Sequence, residues 1–317
     1  MQSTTVVSIG NFDGVHRGHQ ALFAQARSLA GPGGHVVALT FFPHPRTILQ
    51  PHVDILPLTT FQQREKLLSQ AGVDTVEQIV PASDLLSLTP ETFIQQMVRR
   101  WQPEAIIEGR DFRFGHKRQG DMNTLQQLAP TYGFDVVCVP DCNVALTDHT
   151  VHIASSSLCR RLLQQGRVRD VTCVLGRPFA IESTVIKGAQ RGRELGFPTA
   201  NLDAVACQLP REGVYAGTAT LPDGRENVAA ISVGRNPTFS DGCVRVEAHL
   251  LDYAGELNHY NWPIRLNFHS WLREQLAYEC IAALVAQIGR DVDRVRAMIP
   301  PDTSTGAHAR KARLHEQ

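Results

Sequence analysis

Part-way along this chain the hydrophobic period changes, which splits it between two different architectures. Through residue 150, short apolar runs rich in β-branched residues alternate with helix-length segments. The runs cover residues 5–9, 35–41, 75–80, 105–108 and 135–139, and the helical patterns fall near 18–30, 60–71, 90–101 and 120–132. Thr89-Pro90-Glu91 opens one of these helices with a proline at its first position. Such alternation predicts right-handed βαβ units and a doubly wound parallel sheet with helices on both faces. Ligands of such sheets bind beyond the carboxyl ends of the strands. A further helix over 155–165 ends at Gly166, and then the pattern changes. Strand runs at 179–186, 213–220, 226–233, 244–252 and 262–268 are separated by turn signals, among them Asp223-Gly224 and Asp241-Gly242. Short strands at this spacing predict a small closed barrel. A helix over 274–298 follows, with Leu276, Cys280, Leu284, Ile288, Val292 and Val295 on one face. Residues 301–317 are polar and aperiodic, the pattern of a disordered tail. The expected architecture is therefore α/β followed by all-β, with a boundary near 166–177.

Composition narrows the function classes. The chain has 317 residues, enough for two cores, and its 31 basic and 31 acidic side chains cancel. No global field would draw it to nucleic acid or to an anionic membrane, so phosphate binding has to come from local sites. No apolar run approaches the roughly 18 residues of a membrane span. The N-terminus lacks the basic region and cleavage site of a signal peptide. The seven cysteines are scattered, with only Cys138 and Cys142 close together, which reads as free thiols in a reducing cytoplasm.

Two segments carry chemistry. The first strand runs into Gly10-Asn11-Phe12-Asp13-Gly14-Val15-His16-Arg17-Gly18-His19, which opens a helix. A glycine-rich turn lets backbone amides approach a phosphate, and a helix N-terminus favours its charge. His16 and His19 can donate hydrogen bonds to a triphosphate and to charge building on departing pyrophosphate. A metal reading of the His-x-x-His pair lacks a third ligand nearby, and a P-loop is absent. The second segment runs from Lys187 to Asn201, with Gly188, Gly192 and Gly196 among several bases. If extended there, Thr199 and Asn201 face the same way and offer two neutral oxygens to one Mg²⁺. Glu247 alternates with apolar neighbours in a strand and points either into a site or to solvent.

These motifs resemble the bacterial bifunctional riboflavin kinase/FAD synthetases. Residues 10–19 match that family's Gly-Asn-Phe-Asp-Gly-Val-His-x-Gly-His, Phe42-Pro43-His44-Pro45 its Pro-His-Pro element, and residues 109–115 with Gly120-Asp121 its Gly-x-Asp-Phe-x-Phe-Gly segment. Ser155, Ser156 and Arg160 keep part of an Ile-Ser-Ser-Thr-x-Ile-Arg pattern; alone they would read as a helix cap. In the second half, residues 188–201 match Gly-x-x-Arg-Gly-x-x-x-Gly-Phe-Pro-Thr-Ala-Asn, and Glu247 opens Glu-x-His-Leu-Leu-Asp. Gly213-Val214-Tyr215-Ala216 and Asn236-Pro237-Thr238 match further elements.

The resemblance implies a nucleotidylyltransferase domain over 1–170, a six-stranded riboflavin kinase barrel with a closing helix over 171–300, and a tail over 301–317. It implies ATP, riboflavin and FMN as substrates, Mg²⁺ or another divalent cation as cofactor, and neither nucleic acid nor membrane as partner. FMN phosphate would attack the α-phosphorus of ATP in line, with His16 and His19 catalytic. Gly10, Asn11, Phe12, Asp13, Ser155, Ser156 and Arg160 would stand on the nucleotide phosphates, and Asp111 and Phe112 on the nucleobase or flavin side. In the kinase half, Gly188, Arg191 and Gly192 would hold phosphates, Thr199 and Asn201 the metal, and Glu247 would act as base. The chain departs from the family pattern at Asn258, His259, Gln275 and Ala277. These departures motivate one alternative, an FAD synthetase with a weak or inactive kinase domain; a non-catalytic flavin nucleotide-binding paralogue is the alternative from another class.

Overall fold

A computed structural model describes residues 4–50, 52, 55–235 and 244–299. These fall into two compact units, one of residues up to 161 with 173–177 and 206–208, the other of 162–172, 178–205 and those from 209 on.

In the first unit the expected alternation folds as a doubly wound sheet. Its elements are β1 (Thr5–Gly10), α1 (Arg17–Ala30), β2 (His35–Phe41), α2 (Pro45–Leu49), α3 (Phe61–Gln70), β3 (Thr75–Ile79), α4 (Ser83–Leu86), α5 (Pro90–Trp101), β4 (Ala105–Gly109), α6 (Met122–Tyr132) and β5 (Asp135–Val139). A short hairpin, β6 (Asn143–Ala145) and β7 (Val151–Ile153), precedes α7 (Ser156–Gln164). The parallel strands lie in the order β3-β2-β1-β4-β5, so the winding reverses between β1 and β4. Strand alternation sorts the side chains onto two cores. Val6, Val36 and Ala38 pack with Leu22, Phe23 and Ala26 of α1, while Val7, Val37 and Leu39 pack with Phe93, Ile94 and Met97 of α5. Each such large side chain contributes about 1.5–3 kcal/mol by leaving water. Caps set the helix starts. Thr60 and Gln63 form a reciprocal capping box at α3, Thr89 caps α5 with Pro90 at its first position, and Asp121 caps α6.

The second unit contains a closed barrel and its closing helix. After α8 (Val168–Leu175) come β8 (Phe179–Ile186), α9 (Arg191–Glu194), β9 (Ala200–Leu202), β10 (Gly213–Thr220), β11 (Glu226–Arg235), β12 (Val244–Leu250), β13 (Pro263–Arg273) and α10 (Ile281–Met298). The barrel order is β10-β11-β12-β9-β8-β13, closed on β10. Its interior holds Tyr215, Phe179 and Phe268, with Tyr215 edge-on to Phe268 at 5.3 Å. Val214, Ala216 and Leu272 on the outer face pack under Val295 of α10.

Three differences from the sequence reading have local causes. The sixth barrel strand, β9, is only three residues long and hides inside the glycine-rich loop. The closing helix begins at Ile281 and not at 274, because β13 continues to Arg273 and the next two side chains are engaged elsewhere: Glu274 accepts from Arg211 at 2.5 Å, and Gln275 donates to Ser232 at 2.8 Å. Leu276, counted on the helix face, is exposed. The segment expected as a boundary contains α8, whose Val168, Val171, Val174 and Leu175 are buried. The Asp241-Gly242 turn, Asn236-Pro237-Thr238 and the tail lie outside the described residues. None of the described cysteines forms a disulfide, and Cys138 and Cys280 are exposed.

Candidate active sites

In the first unit the candidate site lies at the carboxyl ends of β1 and β2, beside the reversal of winding. Gly10 ends β1, and the loop after it turns back at Gly14, whose φ of +80° favours glycine and where a Cβ would stand 2.9 Å from the Leu58 side chain. His16 and His19 stack with ring centroids 3.6 Å apart. Burial lowers the His16 pKa to about 4, and burial with the neighbouring His16 and Arg64 lowers His19 further below its ordinary value. Both rings are therefore neutral at pH 7, and the Nδ1 of each is buried without a hydrogen-bond partner. Asn11 lies within reach of His44, with 3.3 Å between its amide nitrogen and His44 Nε2.

Two of the residues expected on phosphate sit elsewhere. Phe12 is only 3% exposed and belongs to the core, edge-on to His19 at 5.3 Å and to Phe23 at 4.9 Å. Asp13 is equally buried, and a carboxylate has no attraction for phosphate. It accepts from the backbone of Leu58 at 3.0 Å, from Arg64 at 2.9 Å and from Arg160. Asp13 thus anchors two arginines, and with one acid against two bases the loop keeps a local positive charge. Ser156 Oγ donates to the Asp13 carbonyl at 2.7 Å, tying the start of α7 to the loop, and Ser155 Oγ accepts from Leu158 N–H as a cap. Asp111 and Phe112 stand at the end of β4, next to β1 in the sheet, and neither takes part in the loop's hydrogen bonds. Asp111 is exposed, and Phe112 stacks on Phe114 at 5.2 Å.

Several residues of this site escaped the sequence reading. Arg64 lies in a helix that reads as a polar face, yet its side chain is buried and donates to the carbonyls of Asn11 at 2.7 Å and Phe41 at 3.0 Å. It thereby clamps the ends of β1 and β2. Arg177 donates to the carbonyls of Gly14 and Val15, and Gln20 also donates to Val15. Glu108 is buried on β4 and accepts from Ile9 N–H at 2.5 Å and from Ser8 Oγ at 3.2 Å. Burial raises its pKa well above the ordinary carboxylate value. Nothing in residue type or spacing signals these bonds, because the partners lie far away in sequence.

In the second unit the candidate site is a cleft of about 200 Å³ lined by Gly188, Thr199, Asn201, His249 and the loop around 256–260. Cross-strand register places Ser232, Glu247 and Asn201 in one row across β11, β12 and β9, on one face of the barrel wall. Glu247 accepts a hydrogen bond from Thr199, and its pKa is raised by burial, against the opposing pull of Arg245 and Thr199. Gly188 approaches Asn201 so closely that a Cβ would stand 2.4 Å from its amide. Gly192 accepts Phe197 N–H at 2.7 Å, and Arg191 begins α9 on an exposed face. His249 Nδ1 lies 2.8 Å from the Pro198 carbonyl, fixing the ring against the loop.

The residues that depart from the family pattern are integrated into this unit. Asn258 Oδ1 accepts from Arg193 at 2.9 Å, and the same guanidinium donates to the Leu257 carbonyl. Gln275 donates through its amide nitrogen to Ser232 Oγ and to the Val233 carbonyl, which a glutamate could not do. Ala277 is exposed.

Known proteins match both halves of the chain. The family model described as FAD synthetase matches residues 1–156, and the one described as riboflavin kinase matches residues 175–299. The chain is 34% identical to a bifunctional riboflavin kinase/FMN adenylyltransferase of Pseudomonas fluorescens, covering 93% of each chain. Relatives of the same name in Listeria monocytogenes and Escherichia coli K12 are 31% and 32% identical, each over 92% of this chain and 91% of the relative. A crystal structure of a protein from Streptococcus pneumoniae, named there a macrolide-efflux protein, superposes with a TM-score of 0.82 at 27% identity. It covers 93% of this chain and 95% of that one. No helix among the described residues here is long and apolar enough to cross a membrane.

Proposed function

The chain belongs to the bifunctional riboflavin kinase/FMN adenylyltransferase family, and from that premise we propose how its two sites divide the reaction. It phosphorylates riboflavin to FMN at the expense of ATP and adenylylates FMN to FAD with release of pyrophosphate. Residues 1–170 are assigned the second reaction and residues 171–300 the first. The observation that carries the assignment is the water-shielded pair His16 and His19, neutral and unpartnered at Nδ1, on a loop with local positive charge.

In adenylyl transfer an FMN phosphate oxygen attacks the α-phosphorus of ATP, and the bond to pyrophosphate breaks on the opposite side. No covalent enzyme intermediate is needed, so positioning and charge neutralisation supply the rate. His16 and His19 donate to the phosphates as charge builds on the leaving group. Arg160, held by Asp13, contributes its remaining donors, and Asn11 its amide. The backbone at Gly10 and the Ser155 hydroxyl complete the cradle, while Ser156, whose one proton goes to the Asp13 carbonyl, ties α7 to the loop and is not itself a phosphate donor. Asp13 and Phe12 hold its shape from behind. Asp111 and Phe112, beyond β4, serve the nucleobase or flavin.

In the kinase reaction Glu247 takes the proton of the ribityl hydroxyl as that oxygen attacks the γ-phosphorus and ADP leaves. A carboxylate whose pKa is raised by burial is a better base than one in water. The backbone at Gly188 and Gly192, with Arg191, receives the phosphates. Thr199 and Asn201 offer hard oxygens beside the Glu247 carboxylate, a donor set that fits Mg²⁺ or another divalent cation. When bound, that ion would neutralise phosphate charge. The free thiols and the need for ATP fit work in the cytoplasm.

Paired variants test the division. His19→Ala lowers FAD formation from FMN by about two orders of magnitude and leaves FMN formation from riboflavin intact. Glu247→Gln does the reverse, with a kinase loss of about 10²–10⁴. Equal loss of both activities in either variant would refute the two-site assignment.

A further inference from the structure

His44 has no role in the chemistry above, yet its hydrogen bonds decide how a neighbouring group must point. It stands just beyond β2 as the N-cap of α2, and its Nδ1 accepts the backbone N–H of Arg46 at 3.1 Å. A backbone amide nitrogen can only donate, so Nδ1 is the bare nitrogen. Burial, with Arg160, Arg46 and Arg64 nearby and only Asp13 opposing, lowers the His44 pKa to about 4. A neutral imidazole with a bare Nδ1 carries its proton on Nε2. That Nε2 is 3.3 Å from the nitrogen of the Asn11 side-chain amide, which is also a donor, while Asn11 Oδ1 is buried without a partner. Two donors cannot pair. Amide oxygen and nitrogen are told apart by their hydrogen bonds, and here the clash of two donors disappears if the amide is reversed. Oδ1 then accepts from His44 Nε2–H, and the NH₂ group takes the place of the orphaned oxygen. It becomes an unspent donor on the same loop as the unpartnered His16 and His19 nitrogens.

We infer that His44 is a positioning residue for FMN adenylylation: its Nε2–H holds the Asn11 amide so that the Asn11 NH₂ group faces the phosphate oxygens of the nucleotide. The inference rests on the reading of residues 10–19 as the phosphate site. Arg64, which fixes the Asn11 carbonyl, leaves the side-chain amide as the only part of Asn11 still free to turn. Without His44, either end of that amide would face the phosphates, and the wrong end is repulsive.

The test uses the full chain labelled with ¹⁵N at histidine. A two-bond ¹H–¹⁵N correlation reads the His44 tautomer, with assignment by the signal lost in His44→Asn. The expected result is a protonated-type Nε2 and a bare Nδ1, in the parent and in Asn11→Asp alike. The Nδ1–H tautomer in the parent, or a tautomer change in Asn11→Asp, overturns the inference. Kinetics give an independent arm. His44→Asn keeps a good cap for α2 but loses the reach to Asn11, and kcat/KM for ATP in FAD formation is expected to fall about ten- to a hundredfold. Asn11→Asp, which puts an oxygen where the NH₂ stood, falls at least as far. His44→Gln, which retains an N–H donor, recovers part of the loss. Riboflavin phosphorylation by the same chains is unchanged. Parent-like FAD formation in His44→Asn, or a matching fall in the kinase, overturns the positioning role while leaving the family function intact. Failure of the parent itself to make FAD from FMN would overturn the underlying reading, and the role with it.

Discussion

A histidine kept neutral in a water-shielded anion site must gain a proton, or share one, when the anion arrives. His16 has a pKa of about 4 and His19 is lower than its ordinary value, both chiefly through burial. Phosphate oxygens raise both, so ATP binding should take up protons at pH 6–6.5. Calorimetry in two buffers of different ionisation enthalpy reads this directly, and uptake should drop in His16→Asn. Folding is linked to the same groups. A folded pKa below the unfolded value of 6.5 means that the unfolded chain binds more protons, so this stabilisation is complete above pH 6.5 and lost as pH falls towards 4. Gln275, one of the positions where the chain departs from the family pattern, is held by its own hydrogen bonds. Its amide donates to Ser232 Oγ and the Val233 carbonyl, so a glutamate would set a carboxylate against a carbonyl. Gln275→Glu should therefore not raise kinase turnover, and should cost about 1 kcal/mol, seen as a fall of a few degrees in the melting temperature.

At the scale of elements, two buried contacts join pieces that the sequence leaves separate. Arg273, at the end of β13, forms a bidentate pair with the buried Asp291 of α10, at 2.7–3.1 Å, and Gln287 also donates to Asp291. Removing one partner leaves the other charge buried, so Asp291→Ala should cost about 3–5 kcal/mol. Hydrogen exchange should then speed up across α10 before the barrel strands. Glu108 joins β4 to β1 at the reversal of winding. Its folded pKa is raised, so the native state binds the proton more tightly; its contribution is complete below pH 4.5 and lost as pH rises. Glu108→Gln retains the acceptor for Ile9 N–H, and its melting temperature should hold up better than the parent's between pH 5 and 8. An identical pH profile would show that the carboxyl ionises freely in the folded chain. The sequence could not reveal either contact, because a buried charge and a solvated one look alike until the partner is placed.

Across the whole molecule, legibility follows the range of the physics. Period and capping are local, so the five parallel strands, α1, α3, α5 and α6 were readable within a residue or two of their ends. Elements defined by long-range partners were not. β9 exists because Asn201 meets Glu247 on one side and Ile186 on the other. Period alone places the start of α10 too early, because Leu276 shares the helical period while lying on the surface. The glycine-rich loops and His16, His19, Thr199 and Glu247 were visible as motifs. Their supports, Arg64, Arg177 and Glu108, are not, and Phe12, Asp13 and Val15 form the buried side of the loop. Two reactions in one chain can be watched in a time course from riboflavin, ATP and Mg²⁺, resolved by chromatography. FMN should rise first and FAD should follow from it, with FAD also forming when the reaction starts from FMN. FAD from FMN with riboflavin left untouched would rule out the second reaction and leave an adenylyltransferase whose barrel does not phosphorylate.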